Sequence, residues 1–146
     1  MLLRALCEIG AKGYGDAPIE IRASRMRPEE MRIYQVMREL AKEIDHIIAI
    51  LPPGCKKIAD HVERSCESAG LNLNEGLIAF KPRVKASCFD ISRRETSEVR
   101  KAPQRAVDKG GLAHKQAEHP DSLANCAIGM LTVMIKQQEE HEKNGE

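Results

Sequence analysis

The sequence has no tryptophan and only two phenylalanines and two tyrosines among its 146 residues. This scarcity disfavours a β-sandwich, whose strands usually alternate Val, Tyr and Thr, and predicts a core of Ile, Leu, Val, Met and Ala. No run of 18 apolar residues exists, so the sequence predicts no membrane span. Five scattered cysteines without a Cys-x-x-Cys pair, and without a secretory signal, predict reduced thiols in a cytoplasmic protein.

Hydrophobic residues make up 42% of the chain, which is enough for the core of one domain. They recur at helical spacing in four segments that are separated by glycine or proline. The predicted helices run from Pro28 to the LPPG turn at 51–54, from Cys55 to Phe80, from Val84 to the KGGL stop at 109–112, and from Asp121 or Ser122 to about Met134. Pro103 lies inside the third helix and Pro82 ends the second.

Short connectors between four amphipathic helices predict an all-α fold, an antiparallel up-down four-helix bundle. We assign this domain to residues 28–137. Residues 1–27 contain three glycines and no sustained period, and are interpreted as a poorly ordered N-terminal extension or an arm that docks on a neighbouring subunit. Residues 138–146 are interpreted as a polar, frayed C-terminal tail.

Polar residues interrupt the apolar pattern of the second helix in the stretch SAGLNLNEGLIAF, residues 68–80. Its spacing S-x-x-x-N-x-x-E-G, together with ISRRETSEVRKAPQRAVDKGGL at 91–112, resembles a family of small bacterial four-helix bundles. That family includes the proteins encoded in intervening sequences of 23S ribosomal RNA genes and the accessory variability determinant of diversity-generating retroelements. The chain differs from the family pattern at Gly70, where proline is usual, and at Arg100, where an acidic residue is usual.

The resemblance implies a ring-like homo-oligomer, notably a pentamer, with a positively charged surface. In the retroelement branch of that family, the assembly binds a reverse transcriptase and nucleic acid. We therefore expect a similar scaffold role for this chain.

Asn72 and Glu75 share one face of the second helix because they are three residues apart. Polar groups near an apolar seam are costly unless they have partners, and Arg93 and Ser97 on the third helix are the natural candidates. We therefore hypothesise a Glu75–Arg93 bridge, with Asn72 beside it, that sets the register of the two helices. Gly76 is expected to let these helices approach closely.

Charge is concentrated in residues 81–115, where ten basic and four acidic side chains give a net charge of +6. Clustered Arg and Lys can bind a phosphate backbone, mainly through release of counterions. The alternative is a solvated helix face that the acidic fourth helix neutralises, within one subunit or between two. The predicted phosphate contacts are Arg94, Arg100, Lys101 and Arg105, followed by Arg83 and Lys85.

An enzyme is poorly supported. Glu43-x-x-His46 has the spacing of di-iron bundles, but such a site needs two of these motifs, so a surface Glu–His pair is the better interpretation. We expect no metal and no cofactor, since no glycine-rich phosphate loop and no Ser/His/Asp set is evident. The predicted function is a non-enzymatic scaffold for nucleic acid or a reverse transcriptase; the alternative is a structural or protein-interaction bundle with no nucleic-acid role.

Overall fold

The computed structural model describes residues 31–145, and all of the regular elements in this range are helical. Four α-helices pack together: α3 lies against both α2 and α4, and α1 contacts α2 and α4. The predicted all-α fold of four packed helices is therefore confirmed for the described residues. Their bounds are α1 Arg32–Ile50, α2 Lys56–Ile78, α3 Pro82–Asp108 and α4 His114–Lys143, with a 3₁₀ turn at Pro53–Cys55. Within this range, no helix is both long and apolar enough to cross a membrane.

The KGGL stop ends α3 as the sequence predicts. Gly110 adopts a positive φ of 75°, and its N–H donates to the carbonyl of Val107 while that of Gly111 donates to Ala106, both at 2.9 Å. This pair of bonds is the Schellman motif, in which glycine takes the left-handed position at low cost. A Cβ on Gly111 would lie 2.5 Å from the Cys55 sulfur, so the α3–α4 connector packs closely on the α1–α2 connector.

The core is built mainly from aliphatic residues and alanine. Helix α1 provides the widest apolar face, and Phe89 is the largest of the fully buried side chains. Small residues such as Ala69, Ala106 and Ala124 are completely or almost completely buried, which lets the helix backbones approach one another. The core thus contains few aromatic residues, and buried alanines let the helices pack closely instead.

The structure corrects the predicted start of the fourth helix. We expected a loop as far as Pro120, but α4 begins at His114 and includes that proline. Pro120 lacks the N–H that an interior helix position donates, yet its side chain is fully buried, and this burial offsets the cost. The first turn is also stabilised by the Gln116 side chain, whose oxygen accepts from the N–H of Ala113 at 2.8 Å.

Two other expectations also change. Helix α4 runs to Lys143, so most of the predicted C-terminal tail is helical. Phe80 ends the apolar pattern of the second predicted helix and Val84 begins that of the third, yet they are 79% and 46% exposed because they lie around the α2–α3 connector, at the end of the bundle. The N-terminal extension, residues 1–27, lies outside the described residues.

Candidate nucleic-acid interface

Four of the predicted basic residues lie on one exposed face of α3. Arg83, Arg94, Lys101 and Arg105 are eleven, seven and four positions apart, and each interval is close to a whole number of helical turns. All four side chains are exposed. The helix therefore presents an array of positive groups to solvent, and we call these four residues the basic face.

Acidic neighbours already pair with part of the positive charge. The distances are 3.2 Å from Arg94 to Asp90 and 3.1 Å from Lys101 to Glu98. The hydrogen bond from Lys101, followed by its charge, lowers the pKa of the Glu98 carboxyl. Pairs as exposed as these contribute at most about 1 kcal/mol, so a phosphate group can replace the carboxylate at little cost.

Arg100 lies to the side of the basic face and connects α3 to α4. Its Nε donates to the Asp121 carboxylate at 2.8 Å, with both side chains exposed. The acidic fourth helix therefore neutralises at least this arginine within one chain, as the solvated-face interpretation expects.

Lys85 has a different environment from the other five predicted residues. Its ammonium donates to the carbonyl oxygens of Gly76 and Leu77, at 3.0 and 3.2 Å. These carbonyls lie in the last turn of α2, where orphan acceptors and the negative end of the helix dipole favour a cation. Lys85 therefore ties the start of α3 to the end of α2.

Arg83 and Arg105 differ from the other two residues of the basic face in their pairing. Within residues 31–145 neither guanidinium has a hydrogen bond or an ion pair. They are 22 residues apart on one helix, which corresponds to about 33 Å. The two arginines thus mark opposite ends of the basic face and have the most freedom to bind an anion.

The predicted polar network is not formed as expected. Arg93 donates to Asp90 at 2.6 Å and to Thr132 at 3.4 Å, so its partners lie on α3 and α4 rather than at Glu75. Glu75 is exposed. Asn72 donates to the carbonyl of Ser68 on its own helix at 2.9 Å. The predicted Glu75–Arg93 bridge is therefore not formed in the described structure, where the guanidinium pairs instead with Asp90, one turn away on its own helix.

Ser97 is half-buried on α3, and the buried polar contacts between helices involve other residues. The Ser92 hydroxyl donates to the carbonyl of Ala69 at 2.8 Å and joins α3 to α2. Thr96 donates to the carbonyl of Ser92 at 2.7 Å and lies 3.8 Å from the Met37 sulfur on α1. Ser92 is three residues after Phe89 and Thr96 seven after it, and this helical spacing is the signal in the sequence that could have identified them.

The close approach predicted at Gly76 is confirmed. A Cβ built there would lie 2.5 and 2.7 Å from two ring carbons of Phe89, and 3.2 Å from the Cβ of Cys88. Only a residue without a side chain fits at this level of the α2–α3 interface.

Two environments of titratable side chains bear on the enzyme and metal interpretations, a buried thiol and a surface group of two carboxylates with a histidine. Burial, and secondly the charge of Asp45, raise the pKa of the Cys66 thiol to about 12, so it stays a neutral core group. Glu43 faces His119, with 4.0 Å between its carboxylate and the imidazole, and Glu39 lies 3.5 Å from the same ring. Within residues 31–145, no group of three or more His, Cys, Asp or Glu side chains is arranged to hold a metal ion.

Comparison of the chain with family models, curated proteins and solved structures gives no match. The resemblance to the intervening-sequence and retroelement proteins therefore stays a prediction.

Proposed function

We propose that this chain is a non-enzymatic scaffold whose basic face binds the phosphate backbone of a nucleic acid. The observation that carries the proposal is the exposed array of Arg83, Arg94, Lys101 and Arg105 along α3. The array follows the helix for about 33 Å, a length that matches roughly ten base pairs of duplex at 3.4 Å each. A reverse transcriptase is the protein partner that the family resemblance adds.

The exposed ion pairs support reversible binding without base readout. Arg94 and Lys101 can exchange Asp90 and Glu98 for phosphate oxygens, and Arg83 and Arg105 have no pair to break within the described residues. The basic face contains no aromatic side chain on which a base could stack, so we expect binding through charge with little sequence preference.

Removing the two unpaired arginines together tests this function. We expect the double variant Arg83→Ala/Arg105→Ala to bind a 20-base-pair DNA duplex several-fold more weakly than the unaltered chain. The slope of log affinity against log salt should become shallower by about 0.9 for each phosphate that the variant no longer neutralises. Fluorescence anisotropy at several salt concentrations, starting at about 50 mM, measures both quantities.

The matched control removes the same charge from another surface. Arg38 and Lys42 are exposed one turn apart on α1, so Arg38→Ala/Lys42→Ala also subtracts two positive charges. We expect its salt slope to equal that of the unaltered chain. An equal weakening of binding in both double variants would mean that net charge, rather than the basic face, drives binding.

We further infer an up-down bundle that assembles into a ring, as the resemblance implies. Contact between the α1–α2 and α3–α4 connectors supports alternating helix directions. A pentamer would repeat the net charge of +6 on residues 81–115 five times and strengthen the local field. We expect light scattering to give about 82 kDa, five times the chain mass of 16.3 kDa. A mass of one chain would refute the ring and leave the basic face unaffected.

A second candidate is an interaction bundle with no nucleic-acid role. The observation that favours it is the internal pairing of Arg93, Arg94, Arg100 and Lys101 with carboxylates. If the unaltered chain shows no salt-dependent binding to DNA or RNA at about 50 mM salt, this function replaces the first.

A further inference from the structure

An open groove with a volume of about 470 Å³ lies between the start of α1 and the second half of α4. Its apolar lining comes from Met31, Ile33, Met130, Val133 and Met134, beside Gly129. Val133 is 55% exposed although it belongs to a helix that packs into the core. An apolar concave surface of this kind costs free energy in water and favours a partner that covers it.

The methionines indicate what kind of partner fits. Met31, Met130 and Met134 have unbranched, polarisable side chains that adapt to irregular apolar shapes. A Cβ on Gly129 would meet no atom within 4 Å, so that part of the wall is open to a bulky side chain. The groove therefore suits a short segment rich in leucine and isoleucine better than a rigid or polar ligand.

Such a segment occurs in the same chain. The first nine residues, MLLRALCEI, include four of the type that the groove favours, namely Leu2, Leu3, Leu6 and Ile9, together with Met1. Leu2, Leu6 and Ile9 are spaced so that one helical face could contain all three, while Arg4 and Glu8 fall between them.

The described part of the chain begins at the groove. Met31 both lines the groove and directly follows the first thirty residues, so the polypeptide reaches α1 at the groove itself. The 21 residues between Ile9 and Met31 can extend to about 70 Å, more than enough to return to this position. Covalent attachment gives the segment a millimolar effective concentration, which makes even weak apolar contacts sufficient.

We propose that the apolar residues of positions 1–9 bind in this groove of their own chain. The inference concerns the apolar end of α1 and α4 and is independent of the basic face. Coverage by a second copy or by another protein is a competing outcome that the following experiment separates.

Cys7 lies within the proposed segment and provides a cross-linking probe. The full chain carries Cys88→Ser and Cys126→Ser, which remove the half-buried and exposed thiols and leave the buried Cys55 and Cys66. In this background Val133→Cys adds a thiol at the groove. Dilute protein is treated with a mild oxidant, and non-reducing gels with peptide mass mapping follow the disulfide to Cys7.

Ile50→Cys in the same background is the matched control. Ile50 is 50% exposed, close to the value for Val133, but lies at the far end of α1, about 27 Å from its start. We expect the V133C chain to form the intramolecular link at least tenfold faster than the I50C chain. Adding Leu2→Ser and Leu6→Ser should lower the V133C rate several-fold, toward the control rate.

Equal rates for V133C and I50C would overturn the proposal, because a segment that does not bind the groove samples both positions. A link that forms only between two chains would assign the groove to a second copy. An unchanged V133C rate in the Leu2→Ser/Leu6→Ser variant would show that apolar contact does not hold the segment.

Discussion

Replacing Gly76 with alanine is expected to lower the free energy of unfolding by about 2 kcal/mol, within the range typical of overpacked cores. The added Cβ would lie 2.5 Å from one ring carbon of Phe89 and 3.2 Å from the Cβ of Cys88. The Phe89 side chain is only 2% exposed, so its ring cannot turn outward to relieve the contact. Helices α2 and α3 would have to separate at this level.

The sign of this effect distinguishes a packing contact from helix propensity. An alanine in place of glycine ordinarily stabilises a helix by about 1 kcal/mol. Gly129 on α4 provides the control, since a Cβ there meets no atom within 4 Å. Urea unfolding followed by circular dichroism should therefore show Gly76→Ala less stable, and Gly129→Ala slightly more stable, than the unaltered chain. A higher stability in both variants would contradict the close contact at Gly76.

The helices could be predicted from the sequence where their formation depends only on residues close together in the chain. Apolar spacing identified the bodies of α1, α2 and α3, and KGGL identified the end of α3, because helix period and glycine conformation depend only on neighbouring residues. The start of α4 could not be predicted in this way. Pro120 is unfavourable in a helix interior, and only its burial against other helices, a tertiary property, offsets that cost.

The candidate site, like the helices, could be predicted only in part. The cluster of basic residues in the sequence drew attention to Arg94, Lys101 and Arg105, and the structure exposes all three on one face of α3. Spacing does not reveal which carboxylate lies nearest to a given guanidinium, so Arg93 was assigned to Glu75 rather than to Asp90. The distance to a residue on another helix depends on rotation and separation of the helices, which the sequence pattern does not contain.

Asn72 was selected because it belongs to the S-x-x-x-N-x-x-E-G motif and lies three residues before Glu75. Asn74 also interrupts the apolar stretch of α2, and spacing along one helix does not show which of the two amides is buried. Because α1 and α3 both contact α2, its buried face is wider than one stripe, and Asn74 is fully buried while Asn72 is half-buried.

The second prediction with a large expected effect on stability concerns Asn74. Its side chain is 0% exposed, and neither its amide nitrogen nor its oxygen has a hydrogen-bond partner within the described residues. A buried polar group without a partner costs about 1–3 kcal/mol. Replacing Asn74 with leucine, whose side chain has the same number of heavy atoms and the same branching but no polar atom, should therefore raise the free energy of unfolding by about 2 kcal/mol. Urea unfolding with an unchanged dependence on denaturant is the measurement.

Ser92→Ala is the opposing control, because this residue is also 0% exposed but its hydroxyl donates to the carbonyl of Ala69 at 2.8 Å. We expect this variant to be less stable by about 1 kcal/mol, the usual net value of one hydrogen bond. If burying a polar side chain were unfavourable in itself, both substitutions would raise the free energy of unfolding. A rise for Asn74→Leu and a fall for Ser92→Ala would show that the presence of a hydrogen-bond partner decides the effect. If Asn74→Leu instead destabilises the chain, either the bulkier leucine overpacks the site or it displaces something that the amide binds in solution, such as an ordered water molecule.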